Sequence, residues 1–157
     1  MIMKTPYLIS ALALALIASS ALAQQAPKPE ALIKWRQSSF QLIAWNSGRI
    51  KAATDGQYDK EQALKAAKVI SSVANGGLSS LFASNTEKGI GWHETSVNPQ
   101  FVGDAYRFSQ LAKSLGVESA ELVKVIETGE LDAVKTQYGK LTRTCKTCHD
   151  DYRVSSN

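Results

Sequence analysis

The sequence predicts an all-α fold, an antiparallel four-helix bundle. Apolar residues recur at alternating spacings of three and four through four successive stretches, the period of a helix with one buried face. Period-two alternation of any length is absent, which leaves no candidate sheet. The links between stretches are short except for one, and short links make consecutive helices antiparallel neighbours.

The first helix is expected to open at Pro29, a residue suited to the first turn, and to run to about Ala53. One stripe is Ile33, Arg36, Phe40, Ile43, Ser47 and Ile50. A second, Leu32, Trp35, Ser39, Leu42 and Asn46, lies beside it. Two adjacent stripes suit either a wide core face or a helix that also meets a partner subunit. Thr54-Asp55-Gly56 breaks the pattern, and Asp59 is the expected N-cap of a second helix reaching about Ser80. Its face is small, with Ala63, Ala67, Ile70 and Ala74, and Asn75-Gly76-Gly77 marks a point where it kinks or ends early. Residues 83–97 form the long loop and carry Trp92 and His93. Asn98-Pro99 then caps and starts a third helix through Phe101, Phe108, Leu115, Leu122 and Ile126, which Gly129 stops. The fourth runs from about Glu130 to Arg153, with Leu131, Val134, Tyr138, Leu141, Cys145, Cys148 and Tyr152 on one line.

The amino terminus reads differently. Lys4 is followed by an apolar run over Leu8–Ala18 and by Ala21-Leu22-Ala23, the arrangement of a secretory signal peptide cleaved after residue 23. The run is short for a membrane span, and no stop-transfer flank follows it. The mature domain is then residues 24–157, with no membrane insertion after cleavage. The full chain of 157 residues carries a formal charge of +4. Lys4 is the one charge in the leader, so the mature value is +3, too weak to argue for nucleic acid or an anionic membrane.

Cys145-Lys146-Thr147-Cys148-His149 is the motif around which the rest is arranged. Thiols three residues apart share one face of a helix. Each can form a thioether with one haem vinyl group, and the histidine directly after them can reach the iron. A thioredoxin-type pair would open a helix in a βαβ unit, which this pattern lacks. A zinc site would need two more ligands, and the chain has two cysteines in all. The reading is therefore one haem c, covalent through Cys145 and Cys148, with His149 as metal ligand. Covalent attachment fits export, since thiols and haem meet outside the cytoplasm. The two methionines are Met1 and Met3, both within the leader. Histidine–methionine ligation is thereby excluded from the mature chain.

With these residues in place, the mature chain resembles cytochrome c prime, the high-spin branch of the class II c-type cytochromes. The resemblance rests on Cys145 to Arg153 in the last helix and, at the other end, on Lys28-Pro29-Glu30 and Lys34-Trp35-Arg36-Gln37-Ser38. It implies that Arg36 pairs with a haem propionate, that Arg153 lies near the proximal face, and that Phe40 occupies the distal position. It also implies a homodimer through the first two helices. One departure stands out: the aromatic residue often found near the haem edge, at the end of the second helix, has no clear counterpart. Ser79 or Ser80 falls there with Phe82 shortly after, and Trp92 or Phe101 is expected to fill the space.

A phenyl ring at position 40 cannot bind iron or donate a hydrogen bond. It leaves a dry, crowded site open to small uncharged ligands such as nitric oxide and carbon monoxide, while anions meet a desolvation cost. His93, the other imidazole, is expected to be an exposed loop residue. Two functions follow, capture of a gas and one-electron transfer with an unidentified periplasmic redox partner. An open iron favours the first, because changes of ligation raise the reorganisation cost of electron transfer. The alternative is a low-spin class II carrier with a sixth ligand other than methionine. A peroxidase-like enzyme would want a distal acid–base group, and Phe40 and Ile43 offer none, so no enzymatic activity is expected.

Overall fold

The computed structural model describes residues 26–154. The expected signal peptide, residues 1–23, lies outside the described residues. Four helices, α1 (Pro29–Asp55), α2 (Lys60–Asn75), α3 (Ala105–Thr128) and α4 (Leu131–Tyr152), form the four-helix bundle. Among the described residues there is no strand. Two isolated bridges, Ile90 to Glu94 and Val97 to Arg153, tie down the long connection.

The helix ends follow local chemistry. α1 starts at Pro29, where a missing N–H costs nothing. Its interior buries Ile33, Ile43, Ile50 and Ala53 together with three polar side chains, Arg36, Asn46 and Thr54. Asn46 donates to Leu42 O and Thr54 to Ile50 O, so each meets its hydrogen-bonding need within the helix. Asp59 caps α2 by accepting from Gln62 N at 2.9 Å. Ala63, Ala66 and Ala67 then let α2 lie close to its neighbours.

Two boundaries differ from expectation. α2 stops at Asn75, five residues before Ser80. Gly77 takes φ +93, a left-handed conformation that ends an α-helix, and Leu78–Leu81 continue as a single 3-10 turn. Asn75 Nδ2 reaches across to Gly116 O at 3.2 Å, and a Cβ at Gly116 would stand 2.6 Å from Asn75 Oδ1. The glycine inside α3 is therefore what admits the end of α2. The second difference lies before α3. Asn98 does cap, accepting from Gln100 N at 3.0 Å. The turn that it starts is 3-10, over Pro99–Val102, and α3 begins only at Ala105 after Gly103-Asp104.

α1 packs on α2, α2 on α3 and α3 on α4, while α1 and α4 touch sparingly. The core divides into two parts. An aliphatic cluster takes Ile43, Ile50, Ile70, Leu122, Ile126 and Val134 with the alanines of α2. A smaller aromatic cluster, Phe101, Phe108 and Tyr152, lies near the end of α4, and Phe82, Leu111 and Cys148 pack on it.

Candidate haem site

The sparse contact between α1 and α4 is bridged at one level. Tyr138 of α4 donates to Ser47 O of α1 at 3.0 Å, and its hydroxyl lies 2.8 Å from Ser47 Oγ. The helices are antiparallel, so equal steps from this bridge stay level. Seven residues along α4 is Cys145, and seven back along α1 is Phe40. Four further steps bring His149 level with Arg36. The spacing of Arg36 and Phe40 on α1 thus matches that of His149 and Cys145 on α4.

Both cysteines are free and half-buried. Cys145 Sγ faces Leu141 O at 3.5 Å, and Cys148 packs against the aromatic cluster. Burial pushes both thiols up, Cys148 to about 11. They lie in the last turns of α4, at the negative end of its dipole, where a thiolate gains no help. A redox-active pair has the reverse arrangement, a helix N-terminus that lowers the thiol. Desolvation, and after it the neighbouring Arg153 charge, lower the His149 imidazole from its ordinary value, which favours the neutral ring. Arg153 sits one turn beyond His149 and is itself exposed, its backbone bridged to Val97.

Arg36 is not a surface residue. It is 2% exposed. Nη1 donates to Leu81 O (3.1 Å) and Thr86 Oγ1 (2.9 Å), and Nη2 to Thr86 O and Thr95 Oγ1 (both 2.8 Å). The Phe82 ring lies against the guanidinium, 4.7 Å from its carbon. None of the ion pairs among the described residues includes Arg36. Burial alone lowers it from 12.5 to about 10. A buried cation without a counter-ion is costly, so this position suits an anion brought by another molecule. Among the described residues, no group of three or more His, Cys, Asp or Glu is placed to hold a bare metal. One imidazole beside two thiols fits an iron that carries its own equatorial ligands, and the propionates of such a group are anions of the kind Arg36 lacks.

Phe40 is half-buried at the edge of the aliphatic cluster and meets Phe82 edge-on, with centroids 6.1 Å apart. Phe82, noted in the sequence just after the expected position but given no role there, packs inward. It also contacts Phe101 at 5.9 Å and Phe108 at 4.7 Å. Phe101 belongs to the cluster behind it. Trp92 does not: it is 66% exposed, with Nε1 donating to Ser38 Oγ and Lys34 lying over its ring. His93 is exposed as well. Its Nδ1 lies 3.2 Å from Gln37 Nε2, on the outer side of α1, and 2.8 Å from Glu94 O. Gly91 lets this loop tip close on α1, since a Cβ there would meet Gln37, Ile33 and the backbone of Lys34 within 3 Å.

A four-helix bundle with paired thiols and one imidazole in its last helix, level with a buried cation and a phenyl ring on its first, defines an all-helical c-type haem protein. Residues 31–153 match the family model described as Cytochrome C'. Over 127 residues the chain is 50% identical to cytochrome c' of Rhodocyclus tenuis, covering 80% of this chain and 96% of that relative. A solved cytochrome c', described as having an unusual ligand-controlled dimer dissociation, superposes with a TM-score of 0.79. It is 35% identical, covering 83% of this chain and 99% of its own. A nitric oxide complex of a variant of cytochrome c prime from Alcaligenes xylosoxidans gives a TM-score of 0.74 at 28% identity, covering 84% and 100%. The chain belongs to the Cytochrome C' family, and its cofactor is one haem c, covalent through Cys145 and Cys148.

Proposed function

We propose that this is a periplasmic mono-haem cytochrome with five-coordinate, high-spin iron, which takes up nitric oxide or carbon monoxide and also passes single electrons. His149 ligates the iron from α4, Arg36 holds a propionate, Arg153 lies by the proximal face and Phe40 closes the distal side. The haem supplies an iron that cycles between two redox states and has one open position; the chain supplies everything that decides what reaches it. The observation that carries the reading is the matched register of α1 and α4, which sets Phe40 and Arg36 level with Cys145 and His149. A phenyl ring excludes water and anions and yields only to a small neutral molecule. Support comes from the Alcaligenes xylosoxidans relative, whose variants were solved with nitric oxide and with carbon monoxide. No acid–base side chain accompanies Phe40 on its stripe, so the reading assigns no catalytic turnover.

Export follows from the leader at residues 1–23, and removal of that segment leaves residues 24–157 as the working domain. Among the described residues no helix is long and apolar enough to cross a membrane. The second stripe of α1 supports a homodimer. Its Trp35 and Leu42 are 51% and 44% exposed, and Trp45, outside that stripe, is 69% exposed beside them, an apolar face that a second copy would cover.

Absorption and electron paramagnetic resonance spectra of the ferric and ferrous protein, with and without nitric oxide, test the reading. High-spin iron that takes up the gas is the expected result. A low-spin, six-coordinate spectrum indifferent to the gas would replace it with an electron carrier ligated by His93 or a lysine.

A further inference from the structure

We infer that Phe82 is the positioning residue of the distal side and sets how readily the site accepts a gas. The inference rests on the proposed role of Phe40 as the distal lid. A ligand that enters beside Phe40 must move the ring, and a ring in a packed interior moves only where space exists. On one flank that space is occupied by Phe82, which meets Phe40 edge-on at 6.1 Å.

Phe82 cannot easily give way. Phe108 and Phe101 stand against it at 4.7 and 5.9 Å. The Arg36 guanidinium lies on it at 4.7 Å and is itself fixed by Leu81, Thr86 and Thr95. Phe82 follows directly on the 3-10 turn Leu78–Leu81, and its backbone N–H donates to Ser79 O at 3.1 Å. Backbone, cation and two aromatic rings therefore hold one ring in place behind the lid. The fraction of molecules with the lid displaced scales the apparent affinity for any distal ligand. A smaller side chain at position 82 leaves a hollow beside Phe40, enlarges that fraction and tightens binding.

The test is carbon monoxide affinity of the ferrous holoprotein, measured for the native chain, Phe82→Leu, Phe82→Ala, Phe40→Ala and Ile126→Val. The last lies in the aliphatic cluster and serves as a destabilised control. Phe82→Ala is expected to bind carbon monoxide about tenfold more tightly, which corresponds to ~1.4 kcal/mol. Phe82→Leu should shift in the same direction by less, and it keeps the test alive if the alanine variant does not fold. Ile126→Val should lose thermal stability without any change in affinity. If Phe40→Ala tightens binding while both foldable Phe82 variants match the native chain, the lid stands and the role of Phe82 is overturned. If Phe40→Ala leaves affinity unchanged, the distal-lid reading itself fails, whatever Phe82 does.

Discussion

The two halves of the bundle are built by different rules. One half is aliphatic and complete: Ile50, Ile70, Leu122, Ile126 and Val134 are essentially fully buried, and the alanines of α2 let the backbones close on them. The other half is aromatic, half-open and charged. It holds Phe82, Phe101, Phe108 and Tyr152, two free thiols, an exposed imidazole and a guanidinium buried without a carboxylate. The first half needs nothing more than its own side chains. The second makes physical sense as the lining of a site for a flat anionic macrocycle.

The largest test of that division removes the attachment. Cys145→Ser with Cys148→Ser should abolish covalent haem completely, read as the mass of the bare chain. The aliphatic half should keep its helices, read by far-ultraviolet circular dichroism. Loss of all helical signal would show that the two halves are one cooperative unit. The reverse cut is Ile126→Ala. Truncating a fully buried Ile costs about 2–5 kcal/mol, measured by denaturant unfolding. The ferric absorption spectrum should not change, because Ile126 belongs to the other cluster.

Much of this division was legible in the sequence, and unevenly so. The helices and their stripes follow from period and caps: Pro29, Asp59 and Gly129 each mark an end where the structure has one. The Cys-Lys-Thr-Cys-His run marks the attachment site in the last helix, and the resemblance implies Arg36 and Phe40 on the first as its counterparts. What was not legible sits in the connections. α2 ends early because Gly77 adopts a left-handed conformation and Asn75 turns to Gly116, a contact between segments far apart in the chain. Phe82 lies just past that turn, where no helical period applies, so nothing local marks its inward packing. The partners of Arg36 are likewise two carbonyls and two hydroxyls of the connection between α2 and α3, which composition alone does not distinguish from solvated residues.

Arg36 gives a finer test. Replacing it by leucine removes a buried positive charge beside the proposed propionate. A nearby cation disfavours the more positive ferric state, so Arg36→Leu should lower the reduction potential in a redox titration. An unchanged potential would place the guanidinium away from the haem and leave it as a fastener for residues 81–95.

The smallest effect expected lies at the closing edge of the aromatic half. Tyr152 donates to Asp104 Oδ2 at 2.7 Å and is buried beside Phe108. Burial and this bond push the phenol from 10 up to about 12. The folded chain therefore holds the proton more tightly than the unfolded one. The stability this contributes is fully present below the unfolded value of 10 and is lost as pH rises through about 12. Tyr152→Phe keeps the ring and removes the hydroxyl, so it should cost about 1 kcal/mol near neutrality. It should also flatten the decline of stability across that alkaline range. Denaturant midpoints at several pH values measure both. A native-like alkaline decline in the variant would mean that other groups, not this phenol, loosen the aromatic half.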